Sequence, residues 1–335
     1  MKGIRIVIAG DFLPYGDNIP LFKNGESETL FGEEVYSLFK SADFSIANLE
    51  GPLTDSGVPF TKGGSCIKAP AATISGIRNL GLSAVALANE HITDFMQKGV
   101  DDTLQTLQDA GIQHVGISSE AHPSPADRYL SLDLSGWKIC IYNVADTFSD
   151  RPADHQLGVH VYDESLVLNE IKELKQRHDY LIVIYHGGTE YFQYPDAQTR
   201  TRFHRMADCG ADFITAQHSH CIGCEEWYNG AYLLYGQGNF LFPPQKKYHA
   251  LTTQGLITRL LISDKGLIVD NHLVISYYNK LYYDTVQNLA DFKERSSRLN
   301  DGQFIQEQYK KLKDDEATQA EGCNPIQRIA KWLFR

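Results

Sequence analysis

His218 and His220 stand one residue apart in Ala216-Gln217-His218-Ser219-His220. In a loop, two histidines at that spacing can converge on one cation through neutral imidazole nitrogens. Two neighbours among twelve histidines are a weak signal alone. The signal gains force because the pair follows a short apolar run, Asp212–Thr215, and other ligand-type residues follow similar runs. Asp11 comes after Ile4–Gly10, Glu50 after Phe44–Ala47, His91 after Val85–Ala88 and His186 after Leu181–Tyr185. Asp, Glu and His at five strand ends point to a metal site along one edge of a sheet.

The elements that must position these residues follow from the hydrophobic pattern. Short apolar runs alternate with amphipathic segments over the first 220 residues, the pattern of an α/β domain. Strands are expected near 4–10, 43–48, 84–88, 113–117, 129–134, 137–144, 180–185 and 212–216, and helices near 33–40, 71–81, 95–111, 164–177 and 197–209. Ser135-Gly136 and Asn229-Gly230 read as tight hairpin turns, and Asp264-Lys265-Gly266 joins a third strand pair. After His220 the chain is β-rich, and from about residue 288 it is helical and more highly charged. Ile326, Ile329, Ala330, Leu333 and Phe334 would form an apolar stripe on a terminal helix that docks on its own domain. With no internal repeat or clear linker, one main unit over 1–285 is expected, with a helical extension over 286–335 packed on it.

Composition excludes several classes. Of the 335 residues, 42% are hydrophobic and 22% charged, an ordinary globular balance that argues against disorder. A formal charge of −11 argues against nonspecific binding to nucleic acid or anionic lipid. The run Ile4–Gly10 is broken by Arg5 and too short for a signal core, and no stretch is apolar enough to span a bilayer. A cytoplasmic location is therefore expected, with peripheral membrane association the remaining alternative. Six cysteines do not make a disulfide framework in a chain this long. Cys221 and Cys224 form a lone C-x-x-C without thioredoxin-like surroundings, which favours accidental spacing over a zinc or redox role.

Taken in order, the motifs are Gly10-Asp11; Asn48-Leu49-Glu50-Gly51-Pro52-Leu53-Thr54; Ala88-Asn89-Glu90-His91-Ile92-Thr93-Asp94; His186-Gly187-Gly188-Thr189-Glu190-Tyr191; His218-Ser219-His220; and Gly236-Gln237-Gly238-Asn239-Phe240. Over roughly residues 3 to 245 this series resembles the CapA family, the capsule and poly-γ-glutamate biosynthesis proteins related to calcineurin-like metallophosphoesterases. The resemblance implies a four-layer α-β-β-α sandwich of the metallo-dependent phosphatase type, with its site in loops at the strand ends and a peripheral helical C-terminal tail. It implies that Asp11, Glu50, His186, His218 and His220 are metal ligands, with Glu50 bridging two cations. His91 would take the place of the catalytic histidine and Asp94 that of its carboxylate partner.

The chemistry suits those roles. Two cations roughly 3.5–4 Å apart can share a hydroxide and hold an oxyanion through in-line displacement. A carboxylate offers two oxygens for a bridging position, whereas a histidine suits a terminal one. His91 can point at a leaving oxygen as general acid, oriented by Asp94 if the segment turns helically. Each residue also has a bland reading. Asp11 can cap a turn, Glu50 can be a solvated loop carboxylate, His186 can bond backbone, and His91 with Asp94 can open a helix. Lys62 matches a family lysine that could meet an anionic substrate, or is an exposed loop residue. Asn48, Asn89, Glu190, Tyr191 and Asn239 are candidates for substrate binding or for supporting the ligands.

Three positions depart from the wider pattern. Leu13 stands where the phosphoesterase superfamily usually has a histidine, which puts one of the two cations in doubt. Glu90 replaces an asparagine, adding a sixth metal-ligand candidate that competes with Asn89. Gly187 replaces an aromatic residue and is expected to open one pocket wall. The donor set mixes oxygen and nitrogen, so one or two divalent ions of manganese, iron or zinc all fit. The leading expectation is a metal-dependent hydrolase in which metal-bound hydroxide attacks a phosphoester or related bond of an anionic small molecule or polymer. The alternatives are a non-catalytic accessory that binds an anionic polymer during capsule assembly, or an amide or γ-glutamyl hydrolase.

Overall fold

The computed structural model describes residues 3–60, 65–119, 128–146, 157–277, 280–284 and 289–322. The chain begins with β1 (Ile4–Phe12), α1 (Ile19–Asn24), α2 (Ser27–Lys40) and β2 (Phe44–Leu49), then α3 (Ile74–Leu80), β3 (Ala84–Ala86), α4 (Met96–Ala110) and β4 (Gln113–Val115). The middle runs through β5 (Tyr129–Leu134), β6 (Trp137–Ala145), α5 (Glu164–Lys175), β7 (Tyr180–His186), α6 (Ala197–Asp208) and β8 (Phe213–Gln217). Then come β9 (Glu225–Tyr228), β10 (Ala231–Leu234), β11 (Asn239–Leu241), α7 (His249–Thr252), β12 (Gln254–Ser263), β13 (Gly266–Tyr277), β14 (Lys280–Tyr283), α8 (Ala290–Ser297) and α9 (Gly302–Gly322). The strands and helices expected within the described residues form near their places, and α2 adds a helical turn from Ser27 that joins the expected 33–40 helix across a kink at Gly32. Lys62 and the stripe Ile326–Phe334 lie outside the described residues.

Among the described residues the strands make two sheets, ordered β14-β13-β12-β1-β2-β3-β4 with β11 added beside β1, and β5-β6-β7-β8-β10-β9. The period of two along each strand builds the layers. Ile4, Ile6 and Ile8 of β1 join Ile139 and Ile141 of β6 and Ile182 and Ile184 of β7 in a core between the sheets. The intervening Val7 and Ala9 face a second core with Phe22, Phe31, Val35, Ile77 and Leu104 from the helices. Cys140, Tyr142, Leu181, Val183 and Tyr185 face a third, with Val167, Ile171, Phe203 and Met206. Three cores between four layers give the α-β-β-α sandwich, and they explain why these strands read as unbroken apolar runs.

Residues of the extension pack against two of these cores. Phe292 of α8 is buried in the inter-sheet core and Leu299 in the outer one. No helix of the described residues is long and apolar enough to cross a membrane.

In both sheets the strands that precede the candidate residues run parallel, β1-β2-β3 in one and β7-β8 in the other. Their carboxyl ends therefore meet at one edge, where open α/β sheets place ligands. Polar residues tie the sheets together beneath that edge. Gln217 Nε2 donates to Ala9 O (3.1 Å) and to Gln237 Oε1 (3.0 Å), while Gln237 Nε2 donates to Ile8 O (3.1 Å). Asn143 Oδ1 accepts from the Leu87 and Ala88 amides at 3.1 and 2.8 Å. Gly10 has to be glycine. A Cβ there would come within 2.0 Å of Gly238 O, closing off the bond from Asp11 N to that carbonyl at 3.2 Å.

Candidate metal centre

Asp11, Glu50, His186, His218 and His220 come together at the strand-end edge, joined by Glu90. Two groups of ligand atoms form, each with all its members within 4.8 Å of one another: Glu50, Glu90, His186 and His218 in one, Asp11, Glu50 and His220 in the other. Glu50 belongs to both, which is the geometry a bridging carboxylate needs. Its Oε1 lies 3.8 Å from His186 Nε2 and 3.6 Å from His220 Nε2. On the outer side of the first group, His218 Nδ1 lies 3.0 Å from Glu90 Oε1.

The turn that carries the histidine pair is held in an unusual shape. His218 has φ 93° and His220 φ 53°, both in the left-handed region. Such backbone costs about 1–3 kcal/mol per non-glycine residue and persists only where the surroundings hold it. Here the His218 amide donates to Asp11 Oδ2 at 3.1 Å, so the β1 carboxylate and the β8 turn fix each other.

Asparagines orient the ligands from behind. His220 Nδ1 lies 2.9 Å from Asn239 Oδ1, and Asn239 Nδ2 donates to Thr252 O at 2.8 Å, which fixes the amide and turns His220 Nε2 toward Glu50. Asn48 Nδ2 donates to Asp11 Oδ1 at 2.8 Å and sits 3.2 Å from His186 Nδ1. Asn89 is committed to its own loop. Its Oδ1 accepts from the His91 and Ile92 amides, while its Nδ2 donates to Asn48 Oδ1 and Leu49 O. Of the two competing side chains, Glu90 therefore stands among the donors and Asn89 shapes the turn beneath it.

His91 lies outside both donor groups but faces them, with Nε2 3.9 Å from Glu90 Oε1. Its Nδ1 is 2.7 Å from Asp94 Oδ2, and that fully buried carboxylate oxygen also accepts from the Ile67 amide at 2.9 Å. Glu190 is exposed at the rim and Tyr191 half-buried beside it. At Gly187 the expected opening is taken up: a Cβ there would meet the Tyr185 ring at 2.8 Å and Asp146 Cβ at 2.9 Å. The neighbouring Cys221 and Cys224 are buried, and burial pushes both thiols up to about 12, well away from reactive thiolates.

The sequence pattern assigns Gln217, Gln237, Phe242 and Tyr248 no role at this edge, although Gln217 and Gln237 lie within the motifs themselves. Gln217 and Gln237 brace the sheets, Phe242 stacks on His220 at 4.8 Å and Tyr248 stacks on Tyr191 at 4.2 Å. The one available signal was an amide side chain at the end of an apolar strand run, which Gln217 supplies.

The residues fit a divalent ion on their own evidence. Glu50 is fully buried, and neither carboxylate oxygen meets a hydrogen-bond donor among the described residues. Leaving a carboxylate so costs several kcal/mol unless it is protonated or a cation arrives. Burial, then the charges of Asp11, Glu90 and Glu190, raise the Glu50 carboxyl well above its ordinary value. Burial alone would do the same to Asp11, but the His220 bond and charge, the His186 charge and Asn48 bring it down to about 2. Burial, then the charge of His218, lowers His186 to about 3, so it is neutral and ready to ligate. Burial opposes charge on His218, yet Glu90 overrides it and lifts the imidazole to about 9.

A linkage to protons follows from these directions. Glu50, His218 and His220 are all raised, so a cation competes with protons for these groups. Manganese binding is therefore expected to release protons. Its affinity should rise about tenfold per pH unit for each proton released, as pH climbs toward those raised values. Titration calorimetry in buffers of different ionisation enthalpy measures the number released, and a value of zero would contradict the site as described.

Residues 5–244 match the family model described as bacterial capsule synthesis protein PGA_cap. The chain is 23% identical over 248 residues to capsule biosynthesis protein CapA of Bacillus anthracis, covering 71% of this chain and 60% of that one. It is 26% identical over 212 residues to PGA biosynthesis protein CapA of Bacillus subtilis (strain 168), covering 62% and 55%. A probable polyglutamine synthesis accessory protein of Mycobacterium tuberculosis is 27% identical over 223 residues, covering 62% and 58%. The chain thus spans a little over half the length of these relatives. Among solved structures, a hypothetical protein from Thermus thermophilus shares the fold, with a TM-score of 0.51 at 12% identity over 82% of this chain and 100% of that one. The matched span contains every residue of both donor groups, and the chain belongs to the bacterial capsule synthesis family PGA_cap, the family of CapA.

Proposed function

We propose that this chain is a metal-dependent hydrolase that cleaves a phosphoester or related bond in the biosynthesis of a capsule or poly-γ-glutamate-type polymer. The observation that carries the reading is Glu50. A fully buried carboxylate with no donor on either oxygen joins two donor groups, and a histidine–carboxylate pair faces the same point. Asp11, Glu50 and His220 would hold one divalent cation, and Glu50, Glu90, His186 and His218 the other. Such ions supply a nucleophile at neutral pH and concentrated positive charge for a developing oxyanion. Asp94 accepts from His91 Nδ1 and so leaves Nε2, on the cluster side, to pass a proton to the leaving oxygen. The proton-donating form would carry hydrogens on both ring nitrogens, Nδ1–H on Asp94 and Nε2–H toward the leaving oxygen, and Asp94 would balance its charge. Burial of the ligands keeps bulk water from competing for the same charges.

The test is a metal-dependent turnover. Protein loaded with manganese is expected to hydrolyse generic phosphomono- or phosphodiesters and to lose that activity on chelation, with metal content measured on the same samples. The printed name of the Mycobacterium relative, an accessory protein, favours a second reading in which the site binds an anionic polymer without cleaving it. Metal-loaded protein that turns over neither esters nor γ-glutamyl amides, but binds the polymer tightly, would decide for that reading. Cleavage of the amide alone would keep the hydrolase and change its substrate.

A further inference from the structure

The inter-sheet face of the first sheet continues beyond the core it encloses. Leu256 of β12 and Leu273 of β13 lie opposite each other in that core. Because β12 runs antiparallel to β1, the amino end of β12 and the carboxyl end of β13 reach the strand-end edge that carries the metal centre. Two residues further toward that edge the same face emerges into solvent. Gln254, Ile275 and Tyr282 stand side by side there, followed by the cross-strand pair Tyr277 and Lys280. Tyr277 is 57% exposed, Tyr282 49% and Ile275 36%, and the two tyrosine rings lie 6.4 Å apart. On the opposite face Val274, Ser276 and Leu281 are buried and hold the hairpin in place. The fold therefore does not require the exposed rings, and contiguous exposed apolar surface of this kind marks an interaction site.

Hydrogen bonds join this shelf to the metal centre. Ser276 N donates to Thr253 O at 2.7 Å, the neighbouring Thr252 O accepts from Asn239 Nδ2 at 2.8 Å, and Asn239 Oδ1 lies 2.9 Å from His220 Nδ1. With β12 beside β1, and β13 and β14 following, the shelf stands about 10–15 Å from Asp11 along the edge, at about 4.8 Å per strand. It opens on the same side of the sheet as the metal centre, so an extended chain with one bond at the metals would reach it. The shelf also selects among chains. Lys280 is its one charged residue and the whole molecule carries −11, so a linear polycarboxylate would gain little there and be repelled at long range. Broad aromatic faces beside an amide suit a pyranose instead. The C–H face of the sugar packs on a tyrosine ring, while its hydroxyls exchange hydrogen bonds with Gln254 and the tyrosine hydroxyls.

We propose that Ile275, Tyr277 and Tyr282, with Gln254, form a subsite for the pyranose rings of a glycan chain whose scissile ester lies at the metal centre. The place of that ester rests on the function proposed above, but the binding of the sugar rings does not, and it is tested without turnover. Wild type is run through native gels containing dextran, hydroxyethyl cellulose, hyaluronan or poly-γ-glutamate, beside the double variants Tyr277→Ala with Tyr282→Ala and Tyr277→Phe with Tyr282→Phe. At least one glycan is expected to retard wild type, with or without manganese. The alanine variant is expected to bind that glycan weaker by about tenfold or more, at unchanged thermal midpoint and manganese content. The phenylalanine variant keeps the stacking faces and should keep most of the retardation. Should the midpoint of the double alanine variant fall, Tyr277→Ala alone, at the most exposed position, carries the same comparison. Absence of retardation by every glycan overturns the assignment, as does retardation by poly-γ-glutamate alone or equal retardation of wild type and alanine variant. Self-association that the alanine variant abolishes, in a protein no glycan retards, would make the shelf a contact between copies and also overturn it. Retardation lost in the alanine variant of a protein that cleaves no ester supports the subsite and defeats the hydrolase reading. Ester cleavage by a protein that no glycan retards does the reverse.

Discussion

Glu50→Gln is expected to bind no manganese at concentrations that saturate the wild type, while folding at least as well as the metal-free wild type. Both halves follow from one carboxylate. Glutamine keeps the shape but offers a single oxygen and no charge, so neither donor group retains its shared member. In the metal-free protein, however, Glu50 is a buried acid whose oxygens meet no donor, beside the charges of Asp11 and Glu90. Its folded-state value is raised above the ordinary 4.5. The sign is therefore set: its contribution to stability is fully present below about 4.5 and is lost as pH rises through the raised value. Glutamine does not titrate, so the variant should lack that decline and gain on the order of 1–3 kcal/mol at neutral pH relative to metal-free wild type. Adding manganese at 100 times its dissociation constant should stabilise the wild type by about 2.7 kcal/mol and the variant by nothing. Thermal unfolding from pH 4 to 8, with and without manganese, reads all of this. A variant that still takes up the metal, or that unfolds far below metal-free wild type, would make Glu50 a structural group.

The sequence carried the architecture because the central strands bury both faces. Ile4, Ile6 and Ile8 point one way while Val7 and Ala9 point the other, so β1 appears as an unbroken apolar run ending in Asp11. The same logic made the strand ends visible and brought Glu50, His186 and the His218-Ser219-His220 turn under suspicion before any geometry. What stayed illegible depends on contacts across long stretches of chain. Gln217 and Gln237 brace the sheets through bonds to Ala9 and Ile8, more than 200 residues away, and no local period reports such a partner. Tyr248 lies in a loop between β11 and α7 with no motif around it, and only packing shows that it backs Tyr191. The choice between Asn89 and Glu90 was open for a similar reason. Both are adjacent polar residues, and what separates them is the four hydrogen bonds that occupy the Asn89 amide.

Replacing His91 with asparagine should separate metal binding from chemistry. His91 belongs to neither donor group, so His91→Asn is expected to keep the full manganese content and the wild-type thermal midpoint. Its loss should fall on turnover, by about 10²–10⁴-fold, the range for a positioned general acid. The loss should also depend on the leaving group. An alkoxide leaves poorly without a proton, whereas p-nitrophenolate leaves readily as the anion, so alkyl esters should suffer most and p-nitrophenyl esters least. Asp94→Asn offers a graded version. It removes the acceptor 2.7 Å from His91 Nδ1, but it also disturbs the bond from the Ile67 amide, so its turnover must be compared with its stability. Equal losses on both ester types would assign His91 to oxyanion stabilisation, and undiminished turnover on alkyl esters would remove it from the reaction. Selective loss on the poor leaving group, with metal retained, is the outcome that a proton donated from Nε2 requires.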